Sequence, residues 1–272
     1  MMLRSKIAIC AALTLTVGAV CVFAQAPSET PTKAAENCAE VPELTARMDA
    51  QRKTLQDWPN LARYHEANAS LTAPAKGEQR VVFLGDSITD MWALPRFGGF
   101  FPGKPYVDRG ISGQTTPQML VRFREDVIAL QPKVVVILAG TNDLAGNTGP
   151  ITVEETEGNL ASMAELARAS GIHVVLASVL PVSNYGHDSK GEALDMRTKR
   201  PPEKILELNA WIKKYAQEKS DTYLDYFSAT VDDQGLLKKD LSDDGLHPNG
   251  AGYAVMAPLA EKAIQAALKR KR

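Results

Sequence analysis

A serine follows an apolar segment in the sequence VVFLGDSITDMW, which spans residues 81–92. Ser87 comes directly after Gly-Asp and directly before residues that are compatible with a helix. A side chain at such a strand-to-helix junction lies beside free helix N–H groups, which stabilise developing negative charge. Ser87 is therefore a candidate nucleophile, although serine and aspartate are also common helix caps. The G-x-S-x-G motif of the α/β-hydrolases does not fit, because Thr89 occupies its second glycine position.

A histidine that could activate this serine occurs in DGLHP, residues 244–248, just before the last predicted helix. An aspartate three residues before a histidine can hydrogen-bond the ring Nδ1, fix the tautomer and leave Nε2 free to accept a proton. We therefore predict that His247 is a general base and that Asp244 orients it. The remaining histidines lack an acid placed in this way at a predicted sheet edge; they are His65, His173 and His187.

Two further motifs could supply hydrogen-bond donors for an oxyanion. GTND, residues 140–143, follows the most apolar predicted strand, and Asn142 carries a side-chain N–H₂ group. DRGISGQTT, residues 108–116, contains Gly110, whose backbone N–H a ligand could approach closely. Each motif alone is also compatible with an ordinary turn. Taken with the serine, the histidine and its acid, however, they complete the set of groups that acyl transfer requires.

The segments between these motifs alternate between strand and helix patterns. Uninterrupted apolar runs predict buried strands at residues 80–84, 133–139 and 172–179, and weaker patterns predict strands at 105–112 and 222–227. Helices are predicted at residues 116–130, 153–169, 202–219 and 251–269. Apolar strands covered on both faces are typical of parallel sheets, so the alternation predicts a doubly wound α/β sheet of about five strands. The polar segment 181–200 is predicted as a long loop at the edge where such sheets bind ligands.

The N-terminal residues have the pattern of an export segment. Two basic residues precede an unbroken apolar stretch at residues 7–23, which is short for a membrane span of about 20 residues. We therefore predict a signal peptide at residues 1–24, with cleavage after Ala24 or Ala26, and a periplasmic or secreted protein without stable membrane insertion.

The rest of the chain is predicted to contain three regions: a flexible spacer at residues 25–41, a helical extension and linker at 42–79, and the catalytic domain at 80–272. The extension is interrupted at Trp58-Pro59. Cys38 is the only cysteine beyond the apolar stretch, so no internal disulfide is expected.

Composition limits the classes of partner. The apolar content of 44% is that of a globular protein, and the formal charge of −1 is nearly balanced. Loss of the export segment would leave a charge of about −3, so a nucleic-acid partner is not expected. No cysteine–histidine cluster indicates a metal, and no cofactor is expected. Nothing in the sequence determines the oligomeric state, and a monomer is the default expectation.

The four motifs GDSIT, GISGQTT, GTND and DGLHP, in this order, resemble blocks I, II, III and V of the SGNH hydrolases, also called GDSL esterases/lipases. The resemblance is greatest to the platelet-activating-factor acetylhydrolase-like and carbohydrate-acetylesterase-like branches. It implies a flavodoxin-like three-layer α/β/α sandwich with a five-stranded parallel sheet. It also implies a triad of Ser87, His247 and Asp244, and an oxyanion hole formed by the Ser87 N–H, the Gly110 N–H and the Asn142 side chain.

The activity implied by this resemblance is hydrolysis of short-chain acyl esters, acetyl esters foremost, through an acyl-enzyme. The expected partner is a small-molecule or carbohydrate ester. A sugar O-acyltransferase with the same triad and a lysophospholipase- or thioesterase-like lipolytic enzyme remain alternatives, as does a non-catalytic carbohydrate-binding module. Because residues 181–200 are polar and charged rather than an apolar lid, short acyl groups are favoured.

Overall fold

A computed structural model describes residues 33–97, 99–187 and 190–270. The chain divides into two compact units, Met1–Gln51 and Arg52–Arg272. Helix α1 (Lys33–Gln56) spans the boundary. The predicted signal peptide and the first part of the predicted spacer lie outside the described residues. The last part of that spacer, residues 33–41, lies in the first turns of α1, where alanine and glutamate are favourable helix formers.

A five-stranded sheet forms the centre of the second unit, and all of its strands are parallel, as predicted. The strands are β1 (Val81–Gly85), β2 (Tyr106–Gly110), β3 (Val134–Leu138), β4 (His173–Ala177) and β5 (Thr222–Leu224). Their order in the sheet is β2-β1-β3-β4-β5. Strand β2 therefore lies on one side of β1, and β3, β4 and β5 follow on the other side. In such sheets ligands bind at the carboxyl ends of the strands, where this reversal of strand order opens a crevice.

Helices cover both faces of the sheet, so the three-layer α/β/α arrangement is confirmed. The helices of the second unit are α2 (Ala62–Ser70), α3 (Ser87–Asp90), α4 (Thr116–Asp126), α5 (Thr141–Leu144), α6 (Val153–Ala169), α7 (Met196–Lys199), α8 (Pro202–Glu218), α9 (Phe227–Thr230) and α10 (Gly250–Lys269). Alternate strand residues point to opposite faces. Leu84 therefore joins the core under α4, α6 and α8, whereas Phe83 joins the core under α10.

The segment predicted as a long loop is partly buried. Val182 and Ser183 are almost inaccessible to solvent, residues 196–199 form α7, and Arg200 is buried. The segment therefore packs against the sheet edge rather than lying entirely in solvent. Within the described part of the chain, no helix is both long and apolar enough to span a membrane.

Candidate active site

Ser87 is the first residue of α3, directly beyond the carboxyl end of β1. The preceding Asp86 caps the helix, since its Oδ1 accepts a hydrogen bond of 2.9 Å from the Ile88 N–H. Glycine is required at the end of β2 because α3 approaches so closely. A Cβ on Gly110 would lie 2.1 Å from the backbone nitrogen of Asp90. The two strand ends thus hold the serine at the crevice.

The three residues of the predicted triad form one continuous chain of hydrogen bonds. His247 Nε2 lies 2.8 Å from the Ser87 Oγ, and His247 Nδ1 lies 2.5 Å from Oδ2 of Asp244. The ring therefore faces the serine with one nitrogen and the carboxylate with the other. Ser87 and His247 are 160 positions apart in sequence, and the fold brings them into contact.

The carboxylate of Asp244 is held by backbone groups as well as by the imidazole. Its Oδ1 accepts hydrogen bonds from the backbone N–H groups of His247 (2.8 Å) and Leu246 (2.9 Å). Partial burial by itself raises the pKa of Asp244, but the hydrogen bonds from the His247 side chain and these N–H groups outweigh it. The pKa is consequently held well below its usual value, and the carboxylate stays ionised beside the ring.

Residues 183–186 support the loop that carries the histidine. The Ser183 N–H donates a 2.8 Å hydrogen bond to the Gly245 carbonyl oxygen. Gly186 packs directly on the backbone of Asp244, because a Cβ there would lie 2.4 Å from the Asp244 carbonyl carbon. Part of the segment predicted as a long loop therefore packs against and supports Asp244.

Asn142 lies in α5, directly beyond β3, with its side-chain amide fixed from both ends. Its Nδ2 donates to the Gln114 carbonyl oxygen (3.0 Å), and its Oδ1 accepts from Arg200 Nη2 (3.4 Å). Since Nδ2 carries two protons, one remains available for a ligand. The neighbouring Asp143 accepts hydrogen bonds from the N–H and the hydroxyl of Thr116, which ties α5 to the start of α4.

The two candidate glycine donors differ in what their N–H groups contact. The Gly110 N–H donates a 2.7 Å hydrogen bond to Oδ1 of Asp108, so the predicted oxyanion donor is already engaged inside the protein. Gly113, three residues later, is exposed and has a positive φ of 81°. Within the described ranges its N–H meets no acceptor. It also lies between Ser112, which bonds Asp90 of α3, and Gln114, which bonds Asn142.

The comparison with known proteins identifies the family. A model of the GDSL-like lipase/acylhydrolase family matches residues 83–255. The chain belongs to this family. The match confirms the predicted resemblance to the SGNH hydrolases and shows that the protein is a carboxylic ester hydrolase.

Individual GDSL-family relatives are similar over different shares of the chain. The crystal structure of a GDSL-like lipase from Bacteroides thetaiotaomicron is 45% identical, with a TM-score of 0.67, and the match covers 77% of this chain and 98% of that one. An acetylxylan esterase from Geobacillus stearothermophilus is 24% identical over 66% of this chain and 90% of its own length. The esterase TesA from Pseudomonas aeruginosa is 33% identical over 40% of this chain and 58% of its own length.

Two buried arginines of this GDSL-family site escaped prediction from the sequence. Arg122 donates from Nη2 to the Gly85 carbonyl oxygen (3.0 Å) and from Nε to Gln114 Oε1 (2.6 Å), so it joins the end of β1 to the loop beyond β2. Arg200 donates from Nε to the Thr141 carbonyl oxygen (3.1 Å) and thereby supports the Asn142 amide. Burial lowers the pKa of both side chains from its ordinary value. Their partners are a mixture of backbone carbonyls and side chains from other parts of the chain, which no sequence motif identifies.

One cleft borders the predicted triad, and a second borders the loop beyond β2. The first, of about 340 Å³, lies beside His247 and is lined by Met91, Arg96, Phe97 and Asn249. The other, of about 600 Å³, lies beside residues 112–114 and has residues of the N-terminal extension as its far wall. Across residues 33–97, 99–187 and 190–270, no group of three or more histidine, cysteine or acidic residues is arranged to hold a metal ion.

Proposed function

We propose that this enzyme hydrolyses short-chain acyl esters, acetyl esters foremost, through a covalent acyl-enzyme on Ser87. The observation that carries the proposal is the contact of 2.8 Å between the Ser87 Oγ and His247 Nε2, with Nδ1 of the same ring on Asp244. Nucleophile, base and orienting acid in this order are the arrangement that activates a serine hydroxyl.

The reaction proceeds in two halves. His247 removes the hydroxyl proton as the Ser87 Oγ attacks the ester carbonyl carbon, and a tetrahedral oxyanion forms. The imidazolium then protonates the leaving alcohol, and the C–O bond to that alcohol breaks to leave the acyl-serine. A water molecule, deprotonated by the same ring, attacks the acyl-serine and releases the carboxylic acid. Asp244 stabilises the imidazolium in both halves because its carboxylate remains ionised.

The oxyanion requires preorganised donors on the side of the serine opposite the base. We assign this role to the Ser87 N–H, to the free proton of the Asn142 amide and to the Gly113 N–H. Gly113 replaces the predicted Gly110 in this set, since the Gly110 N–H already donates to the Asp108 carboxylate. Because the Gly113 N–H is exposed and donates to no acceptor among the described residues, it can bind an oxyanion without breaking an existing hydrogen bond.

Two features favour a short acyl group. One relative of the chain is an acetylxylan esterase, which points to an acetyl group, with an acetylated carbohydrate as one form of substrate. The segment 181–200 near the triad is polar and charged in sequence, and it offers no continuous apolar surface for a long alkyl chain.

A series of p-nitrophenyl esters from acetate to laurate tests the proposal. We expect kcat/KM to be highest for acetate and to fall with chain length, and Ser87→Ala to remove almost all turnover. A fluorophosphonate probe should label the wild-type enzyme at Ser87 and fail to label the variant. Wild-type-like hydrolysis by purified Ser87→Ala would refute the nucleophile, and a preference for laurate would favour a lipolytic enzyme. Adding sugar acceptors separates hydrolysis from acyl transfer, because transfer yields an acylated sugar instead of free acid.

We also infer that the protein is exported, on the strength of the apolar stretch at residues 7–23 and the small residues that follow it. N-terminal sequencing of the protein recovered outside the cytoplasm should begin at Gln25 or Pro27. Recovery of a chain that still begins at Met1, only from the cytoplasm, would refute export.

A further inference from the structure

The larger cleft, which is lined in part by the proposed oxyanion donor Gly113, is built from two segments that are distant in sequence. One wall is the loop Ser112–Gln114, and the other is the turn at residues 57–60 between α1 and α2. Its volume of about 600 Å³ far exceeds an acetyl group and falls within the range of about 300–1,000 Å³ that is usual for ligand sites. We call this space the Trp58 cleft. It can hold much more of a substrate than a short acyl group.

Hydrogen bonds hold the turn firmly against the catalytic loop. The side-chain Nε2 of Gln118 donates to the Trp58 carbonyl oxygen (2.7 Å), and that of Gln114 donates to the Pro59 carbonyl oxygen (2.6 Å). The backbone carbonyl of the same Gln114 accepts from Asn142 Nδ2. One residue therefore contacts both the extension and the oxyanion donor.

The turn itself is rigid. The carboxylate of Asp57 accepts hydrogen bonds from the N–H groups of Leu61 (2.7 Å) and Ala62 (2.9 Å), which caps the start of α2. Asn60 adopts a left-handed conformation with a φ of 56°, which asparagine tolerates better than most residues. Trp58 is consequently presented to the cleft by a fixed backbone, so little conformational entropy is lost when a ligand binds.

The lining of the Trp58 cleft combines one aromatic ring with uncharged polar groups. Its only charged members are one lysine and one aspartate, and the others include Trp58, Asn60, Ser112, Gln118, Asn147 and Thr148. The Trp58 side chain is half-buried, and within the described ranges its ring packs on no other aromatic ring. The indole thus lines the cleft with part of its surface exposed and no aromatic partner among the described residues.

This chemistry selects among the possible ligands. A polyanion would require an excess of cations, whereas the single lysine is balanced by the aspartate. A long acyl chain would require a mostly apolar lining. A sugar ring presents C–H groups that pack on an indole face and hydroxyl groups that hydrogen-bond amides and hydroxyls. The lining therefore matches an uncharged carbohydrate.

We propose that the Trp58 cleft is a binding site for a neutral oligosaccharide and that it holds the carbohydrate part of the ester whose acyl group reacts at Ser87. This inference rests on the proposed function. It also assigns a role to the N-terminal extension: residues 57–60 form the substrate-binding wall of the site, and Trp58 is the residue that packs on the sugar.

Tryptophan fluorescence tests the site without any turnover. The chain has three tryptophans, of which Trp92 is buried and Trp211 is stacked on Tyr215 of α8. Ser87→Ala protein is titrated with the uncharged probes xylotetraose, cellotetraose and chitotetraose. We expect at least one of them to shift the emission in a saturable way. The shift should vanish in Ser87→Ala/Trp58→Phe and persist in the matched control Ser87→Ala/Trp211→Phe. Thermal melting verifies that each variant is folded.

Steady-state kinetics provide a second readout. We expect Trp58→Ala to lower the ratio of kcat/KM for acetylated xylotetraose to kcat/KM for p-nitrophenyl acetate by about tenfold, mainly through KM. Absence of a saturable shift with all three probes, or a shift that survives in the Trp58→Phe protein, would overturn the assignment of the cleft, and so would an unchanged ratio. Failure of the proposed function is a separate result: the wild-type enzyme would cleave neither ester, whatever the fluorescence shows.

Discussion

The orientation of each polar side chain in this site is fixed by the groups that its atoms contact. Asp244 uses one oxygen for the imidazole and the other for two backbone N–H groups, so its carboxylate cannot rotate without losing hydrogen bonds. Asn142 is constrained in the same way, with its Oδ1 on Arg200 and one Nδ2 proton on the Gln114 carbonyl. The remaining Nδ2 proton therefore has a defined direction before a substrate arrives, which is the condition for stabilising an oxyanion.

Removing that amide should affect the chemical step more than substrate binding. We expect Asn142→Ala to lower kcat for p-nitrophenyl acetate by about 10²–10³, with a much smaller change in KM, because the interaction develops only in the transition state. The fluorophosphonate probe should still label Ser87 in this variant, since the contact between Ser87 and His247 is unchanged. A loss of less than tenfold in kcat would contradict the role of Asn142 as a donor.

The proposed reacting residues can be recognised in the sequence because each occurs at the end of a strand or just before a helix. Ser87, Asn142 and His247 were found in this way, and the structure brings them to one edge of the sheet. Gly110 and Gly113 could not be separated by sequence, because both glycines belong to the same short motif, DRGISGQTT. The choice depends on which N–H the carboxylate of Asp108 accepts from, and that is set by the local backbone conformation at the end of β2.

At the scale of elements, the sequence predicts fully buried strands more accurately than partly exposed ones. The central strands β1, β3 and β4 are uninterrupted apolar runs, and they were predicted within a few residues of their observed bounds. The edge strands β2 and β5 are less fully buried and gave weaker patterns. Helix α4 ends at Asp126, earlier than the apolar pattern predicts, and a short 3-10 turn with a left-handed residue at Gln131 follows it.

The close approach of β2 and α3 supports a prediction at this scale. Ala in place of Gly110 would place its Cβ 2.1 Å from the Asp90 nitrogen, so α3 must shift and carry Ser87 with it. We expect Gly110→Ala to lower the free energy of unfolding by about 1–3 kcal/mol and to impair turnover. Urea denaturation monitored by circular dichroism measures the first effect, and p-nitrophenyl acetate hydrolysis the second.

Gly158 provides the matched control for this substitution. It lies inside α6, and a Cβ there would have no neighbouring atom within 4 Å. We expect Gly158→Ala to raise the free energy of unfolding by about 0.5–1 kcal/mol, because glycine is less favourable than alanine within a helix, and to leave turnover unchanged. If Gly110→Ala were as stable as Gly158→Ala, the close approach of β2 and α3 would be refuted.

At the scale of the whole molecule, several carboxyl groups are buried and titrate above their ordinary range. Burial raises the pKa of Asp108 to about 7 and that of Asp86 to about 6. The Oδ2 atom of each is buried and has no hydrogen-bond partner among the residues that the structure describes. Burial also raises the pKa of Asp221 to about 6, where the nearby Arg168 only partly opposes it. These groups make the stability of the folded state depend on pH in a direction opposite to that of a carboxyl group whose pKa is lowered by folding.

The sign follows from where the protons bind. In the unfolded chain these carboxyl groups lose their protons near pH 4, whereas in the folded protein they keep them up to about pH 6–7. The folded state thus binds more protons across this window, so its stability is greatest near pH 4 and falls as the pH rises towards 7. Asp244, whose pKa is lowered, acts in the opposite direction, but only as the pH falls below about 4. It therefore does not alter the trend at higher pH.

Thermal unfolding between pH 4.5 and 7.5 measures this dependence. One pKa unit corresponds to about 1.4 kcal/mol, and 1 kcal/mol to about 2–4 °C for a chain of this size, so we expect Tm to fall by about 5 °C or more. Asp108→Asn should flatten the curve, since the amide cannot ionise and its oxygen still accepts from the Gly110 N–H. The matched control Asp233→Asn, at an exposed position, should keep the wild-type slope. A wild-type Tm that rises across this range would show that the buried carboxyl groups are already ionised in the folded protein at pH 4.5. Water would then have to reach the carboxyl groups of Asp86 and Asp108, despite the close packing around them.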